Sequence, residues 1–370
     1  MKIGIARETA SGELRVAGSP ETVKRYVGLG LEPVVAAGAG EGAALADEAF
    51  VAAGATVGDP WDTEIVLKVQ RPSAEEMGRL RPGQVLVGML DPYNHKEQVA
   101  SYAAAGVTAF SMELLPRTTR AQAMDVLSSQ ANLAGYKALV DAMAAYSRVL
   151  PMMMTAAGTV TPAKVFIVGA GVAGLQAIAT ARRMGAVVTA TDVRPAAREE
   201  TESLGAKFVG FVPADAATKG GYARPLTPEE QAEQAKMVAE HLKTQDIVVT
   251  TAQIPGRKAP RIVTAEMVRS MKPGAVVLDM AADSGGNVEG SVPGEVVSVG
   301  GVKLIGAKNL PSLIAPATTV LYAKNLLNFV TLLVDPKTKE LKIDTGDELI
   351  KGTLLTQGGA VVHDAFKTAA

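Results

Sequence analysis

Three glycines, Gly169, Gly171 and Gly174, stand in KVFIVGAGVAGLQAIATARRMGAVVTATD where an apolar run gives way to a helical pattern. Glycine at this spacing suits a turn that cradles phosphate. The first permits a tight turn, the second lets the backbone approach a pyrophosphate, and the third lets helix and strand pack closely. The amides that open the helix favour the anion. Asp192 closes the next apolar run, where a carboxylate accepts hydrogen bonds from the adenosine ribose hydroxyls. Its charge repels a 2′-phosphate and so favours NAD over NADP, while nearby Arg194 pulls the other way. Thr251, Ala252 and Gln253 follow a later apolar run and precede Pro255 and Gly256, and Asp283 follows AVVLDMAA in the same manner. Both segments sit where nucleotide contacts or ordinary polar turns are equally in order.

These residues need a sheet to present them. Short β-rich runs alternate with helical patterns along the chain, which predicts an α/β architecture of parallel sheets covered by helices on both faces. In the N-terminal third the runs are KIGIA, EPVVA, EIVLKV, QVLVGML and GVTAFSM. Between the first two, SPETVKRYVGLG predicts a helix with Ser19 as N-cap, Pro20 in the first turn and Gly30 as its stop. Residues 120–149 form an alanine-rich stretch that predicts one long helix. A second series follows: AKVFIVG, AVVTATD, AKFVGF, DIVVTTA, AVVLDMA and VKLIG. We therefore expect two Rossmann-like, doubly wound domains joined by long helices. The first is discontinuous, residues 1–130 plus 310–370, because the apolar helix from about residue 312 leads back to it and the polar, turn-rich tail cannot form a domain alone. The second covers 131–309. Between AKFVGF and the next helix lies VPADAATKGGYARPLTPEE, a loop long enough to be a lid, a binding loop or a disordered segment.

Composition narrows the functions open to the chain. Of 370 residues 48% are hydrophobic and 20% charged, which excludes a disordered protein. Lys plus Arg number 37 against 38 acids, a net charge of −1, so no field draws the chain to nucleic acid or anionic lipid. Cysteine is absent and the three histidines, His95, His241 and His363, are scattered without ligand spacing; no metal site is expected. The opening MKIGIARETA lacks the layout of a signal peptide. Leu310–Val334 approaches membrane-spanning length, yet Lys324, Asn325 and Asn328 lie near its middle and Pro311 and Pro316 delay the helix, so a buried helix is expected rather than a spanning one.

The stretch ELLPRTTRAQAMDVLSSQANLAGYKA, taken with GAGVAGLQAIATARRMGAVVTATDVRPA, resembles the NAD(H)-binding component of the proton-translocating nicotinamide nucleotide transhydrogenase, a relative of alanine dehydrogenase. The likeness runs over essentially the whole chain. It implies that the segment before the long helix grips the nicotinamide end of NADH through Arg117, Gln122, Asp125 and Ser128, with Thr118 and Thr119 beside them. It further implies nucleotide contacts at Ala170, Val172, Asp192, Val193 and Arg194, at Gln253 by position alone, and at a loop that closes over the nucleotide with Gly221, Tyr222 and the later Gln234. On this reading Gln122 hydrogen-bonds groups of two nucleotides without repelling either. Arg117 donates to the carboxamide or a phosphate, and Asp125 and Ser128 fix the carboxamide and the ring face. Without the resemblance, Gln122 and Ser128 read as solvated helix-start residues and Asp125 as a first-turn acid.

The resemblance also implies a division of labour. NADP(H) binds to a partner subunit, membrane-spanning partner subunits carry the protons, and this chain is a homodimer, cytoplasmic and held at the inner face of the membrane by those partners. It is expected to be inactive alone. Alanine dehydrogenase is the alternative: two of its substrate-binding positions match Arg15 and Lys68, and a catalytic aspartate matches Asp283. Its catalytic histidine, however, falls on Asp91 in DPYNH, and His95 comes too late, where the next helix is expected. Arg15 and Lys68 are then framework or ion-pair residues. An NAD sensor without catalysis, its loop reporting occupancy, is the third possibility.

Overall fold

A computed structural model describes residues 1–210, 227–253 and 256–367. The chain divides into two compact units, residues 1–130 with 311–370 and residues 131–310.

Unit 1 begins with six strands: β1 (Lys2–Ile5), β2 (Glu32–Val35), β3 (Thr56–Val57), β4 (Ile65–Leu67), β5 (Val85–Gly88) and β6 (Thr108–Ser111). They pair in parallel in the order β6-β5-β4-β1-β2-β3. Side chains alternate across such a sheet. Ile3, Ile5, Ile65, Leu67, Val85, Val87 and Phe110 join one core with Tyr26, Tyr322 and Phe329. Val66, Leu86 and Ala109 join another with Val99 and Tyr102. Both faces are covered, and for that reason the runs read as continuously apolar. The helix Pro20–Gly28 starts as its sequence predicts: Ser19 and Thr22 form a reciprocal capping box, and Gly30 follows at φ +82°.

Next in the chain come β7 (Met153–Thr155) and β8 (Gly158–Val160), a hairpin exposed along its whole length. Unit 2 then builds β9 (Lys164–Val168), β10 (Val187–Thr191), β11 (Lys207–Phe208), β12 (Ile247–Thr250), β13 (Val276–Asp279), β14 (Val296–Val299) and β15 (Val302–Gly306). Their order is β11-β10-β9-β12-β13-β15-β14. The chain reverses its winding between β9 and β12, the topological switch point where open α/β sheets bind ligands. Last come β16 (Leu354–Gln357) and β17 (Ala360–Val361), which extend the first sheet beyond β6.

Three expectations need correction. The sheets are not wholly parallel, since β14, β16 and β17 pair antiparallel at the edges. The stretch 120–149 is not one helix: a 3₁₀ turn spans Thr119–Met124, Asp125 interrupts, and the α-helix runs Val126–Ala145. Asp125 breaks the run because its Oδ1 accepts the Ser128 backbone N–H at 2.9 Å, the bond that starts a new helix. The long loop also ends sooner than expected, because Thr227 caps a helix beginning at Pro228. Among the described residues no helix is long and apolar enough to cross a membrane. The apolar helix Ala315–Leu332 buries Tyr322, Leu326, Phe329 and Val330 in the first core instead.

Candidate functional site

In unit 2 the glycine turn follows β9 and leads into the helix Val172–Arg183. Each glycine has its own reason to be there. Gly169 adopts φ +101°, a region that favours glycine, and a Cβ on it would lie 2.6 Å from Thr251 Oγ1. A Cβ on Gly174 would lie 1.8 Å from the Gly169 carbonyl oxygen, so only glycine permits that close approach of helix to turn. At Gly171, the N-cap, a Cβ would meet nothing within 4 Å. Open space therefore lies over the helix N-terminus, whose first amides lack intrahelical partners, and a pyrophosphate fits those conditions. Ala170 is buried, whereas Val172 is exposed at the first helical position.

Asp192 ends β10 with its carboxylate fully engaged. Oδ2 accepts the Ala170 N–H at 2.7 Å, and Oδ1 accepts the Arg194 backbone N–H at 2.8 Å and Nε at 3.1 Å. Arg194 Nη2 donates to Asp192 Oδ2 at 3.3 Å and to the Ala170 carbonyl at 2.9 Å. Glycine turn, acid and arginine thus form one network, with Val193 in the bend between the last two. The end of β12 joins them: Thr251 Oγ1 donates to the Gly169 carbonyl at 2.9 Å. Gln253 is exposed and donates to the Met280 carbonyl at 3.2 Å; Asp283 lies exposed in the short turn Ala282–Ser284. Gln234 is partly buried on the helix Pro228–Leu242, and its Oε1 has no hydrogen-bond partner among the described residues. Gly221 and Tyr222 lie outside the described residues.

Sequence reasoning passed over the side chains that brace this end of the sheet. Asp279 is buried and accepts from Thr250 Oγ1, Ser291 Oγ and the N–H groups of Ala281 and Val288. Asn287 clasps both the N–H and the carbonyl of Ala252. An Asp closing an otherwise apolar strand is the signal that points to them, since a carboxylate buried there requires donors.

In unit 1 the segment from Pro116 to Ser128 holds Arg117, Thr118, Thr119, Gln122, Asp125 and Ser128. Arg117, Thr119 and Gln122 are exposed, while Ala121 and Met124 are buried in the core. Thr118 keeps a buried hydroxyl with no partner among the described residues. Besides capping the helix, Asp125 accepts from Ser128 Oγ at 2.5 Å, so these two are joined to each other. The segment is also held from the tail: Arg120 pairs with Asp347, which caps the helix Glu348–Thr353, and Gly352 lies so close to Pro116 that a Cβ would sit 2.5 Å from its ring.

A second cluster occupies the carboxyl ends of the unit 1 strands. Arg15 donates to both oxygens of Glu13, at 2.7 and 2.6 Å, and to Gln130 Oε1 at 2.8 Å. Burial works to raise the Glu13 pKa, but the hydrogen bonds and charge of Arg15 overrule it and hold the group at about 2. Lys68 is buried between Glu76 at 2.8 Å and Glu8 at 3.4 Å, with the Trp61 ring 5.8 Å away. Burial pushes Glu8 up to about 7 against the pull of Lys68 and of two backbone donors. Asp91 takes φ +46° after β5 and donates its N–H to Glu113 at 2.6 Å. Burial likewise raises the Glu113 carboxyl, which its donors, first Ser111, work to lower. His95 sits at the N-cap of Lys96–Ala104, with its Nε2 3.6 Å from Asp91 Oδ2. Among the described residues no cluster of metal-ligating side chains occurs.

Two Rossmann-like units, one with a glycine turn, a helix N-terminus and an acid closing the following strand, define a dinucleotide-type α/β protein. The chain belongs to the alanine dehydrogenase/PNT family: residues 4–134 match its N-terminal domain and 138–364 its C-terminal domain. Membership implies NAD(H) binding. The chain is 49% identical to an NAD(P) transhydrogenase subunit alpha chain of Rhodospirillum rubrum, the first of the pieces into which that subunit is divided, covering 99% of each. Among solved structures it is similar to the transhydrogenase from Sinorhizobium meliloti, with a TM-score of 0.89 and 53% identity over 98% of this chain and 100% of that one. An L-alanine dehydrogenase shares the architecture at a TM-score of 0.83 and 26% identity, over 99% of this chain and 98% of that one. These likenesses support a transhydrogenase component.

Proposed function

We propose that this chain is the NAD(H)-binding subunit of a proton-translocating transhydrogenase, which positions NADH for direct hydride transfer to NADP⁺ on a partner subunit. Full-length similarity to a transhydrogenase alpha subunit is the observation that carries this reading. Proton translocation then belongs to membrane-spanning partner subunits. The chain works as a homodimer, cytoplasmic and peripheral at the inner face of the plasma membrane through those partners, and turns over nothing alone.

The residues suit a task of placement. A bound dihydronicotinamide supplies the hydride, and transfer requires donor and acceptor carbons about 3–3.5 Å apart. The glycine turn receives the pyrophosphate and Asp192 the adenosine ribose. Arg117 and Gln122 offer exposed donors to the nicotinamide end, with Thr118 and Thr119 beside them. Asp125 and Ser128 restrain one another and so fix a carboxamide in one orientation. No group in this set has to exchange a proton, in keeping with a hydride-only step. Arg15 and Lys68 act as framework, each already paired with acids of its own unit.

In a complex reconstituted with NADP(H)-binding and membrane subunits, Gln122→Asn is expected to slow hydride transfer at least about tenfold with NADH affinity little changed. Undiminished transfer refutes the role of Gln122. No transfer at all from the wild-type complex favours the NAD sensor. Arg15 and Lys68 keep alanine dehydrogenase as the second reading. Purified chain mixed with NADH, pyruvate and ammonium is expected to leave the cofactor absorbance unchanged; steady oxidation reverses the ranking.

A further inference from the structure

Gln122 and Ala123 are exposed, so packing around the Gln122 side chain does not set its direction; its backbone must. That backbone belongs to the 3₁₀ turn Thr119–Met124, and a turn that stops at once leaves carbonyls beyond the reach of any following helical amide. The carbonyl next to Gln122, that of Ala123, accepts two side-chain amides. Asn325 Nδ2 and Asn328 Nδ2 each donate to it at 2.9 Å. Both arise from the helix Ala315–Leu332, one turn apart on one face. Asn325 is buried, and its Oδ1 accepts from Ser129 Oγ at 2.6 Å, so one side chain ties the 3₁₀ turn to the first turn of the next helix.

We propose that Asn325 and Asn328 are positioning residues for Gln122, holding the Ala123 carbonyl so that Gln122 keeps one direction. The inference rests on the role given to Gln122 above. One donor is enough to satisfy a carbonyl, so the second adds restraint rather than satisfaction. Apolar packing does not account for the two amides either: the neighbouring Leu326 and Phe329 already fill the core, and amides on a core-facing helix are unfavourable unless bonded. Two donors converging on one oxygen beside the working residue are what a placement task requires, because an error of about 1 Å in such a site costs about a hundredfold in rate.

Asn328 is the better test, since it is partly exposed and its removal leaves Asn325 on the carbonyl. In the reconstituted complex Asn328→Ala is expected to slow hydride transfer about tenfold while the NADH Kd stays within about twofold and the thermal midpoint is held. In the full chain alone, hydrogen exchange of the amides of residues 119–125 is expected to quicken, and Asn328→Asp, of equal shape but unable to donate, behaves as Asn328→Ala does. Asn325→Ala adds a loss of stability. Wild-type transfer rate and unchanged exchange in Asn328→Ala overturn the proposal, as does a rate loss matched by an equal loss of NADH affinity. A slow Gln122→Asn beside a fast Asn328→Ala sinks the proposal and spares the role of Gln122. If wild-type complex transfers nothing, the functional reading fails, and the exchange measurement by itself decides whether the two amides hold the turn.

Discussion

Replacing Asp192 with alanine should change which nucleotide the chain prefers, and the structure gives the size of the effect. The Asp192 side chain is only 9% exposed, and a charge-assisted hydrogen bond from such a site to a ribose hydroxyl is worth about 1–3 kcal/mol. NADH binding is therefore expected to weaken about 5- to 150-fold. For NADPH a second effect opposes that loss. Two unit charges about 5 Å apart repel by about 3 kcal/mol at an effective dielectric near 20, and this repulsion vanishes with the carboxylate. Arg194, bonded to Asp192 through Nε and Nη2 in the wild type, is freed to meet the 2′-phosphate. NADPH affinity should hold or rise, so the affinity ratio shifts toward NADPH by about tenfold or more. Arg194→Ala should move the ratio the opposite way by unshielding the acid. Titration of the purified chain with both reduced nucleotides, followed by nucleotide fluorescence, measures both constants. An unchanged ratio in Asp192→Ala refutes the assignment of Asp192 as the selector, and a shift of equal sign in the two variants refutes the role of the ion pair.

The glycine turn separates binding from folding. Gly171→Ala puts a methyl into open space and should weaken NADH binding at least about tenfold with an unchanged thermal midpoint, whereas Gly174→Ala, whose Cβ would lie 1.8 Å from the Gly169 oxygen, should lower both affinity and stability, the latter by about 1–3 kcal/mol; calorimetry and titration of both variants check this, and identical behaviour counts against it. Acid should destabilise unit 1 through Glu13. Its folded pKa of about 2 lies below the ordinary 4.5, so the stability it contributes is present above pH 4.5 and is lost as the pH falls through 2, about 3 kcal/mol in all. Urea unfolding over that range should show a fall in wild type that Glu13→Gln lacks, and parallel curves refute the coupling.

The parallel strands were legible because burial on both faces leaves an unbroken apolar run, as in KVFIV or VVLD, and no other environment asks for one. The edge strands were not, since their identity depends on distant partners. β16 exists because Leu354–Gln357 finds β6 across the chain, and the alternately exposed β14 carries no apolar run. Even so, the tail held a local signal. LLTQ and AV flank Gly358 and Gly359, at φ +60° and +80°, the pair of left-handed residues that a two-residue hairpin requires. The glycine turn could be understood residue by residue, for its demands are those of the backbone and fall within a few positions. Arg117, Gln122, Asp125 and Ser128 are ordinary types at a helix start, and Asp125 does serve as a cap; composition and spacing give such residues no further meaning. Asn325 and Asn328 show the same boundary from the other side. In the sequence they are polar interruptions that argue against a membrane span. Only when the helix Ala315–Leu332 is laid on the turn Thr119–Met124 do both amides reach one carbonyl, because a contact between segments so far apart leaves no period in the chain to read.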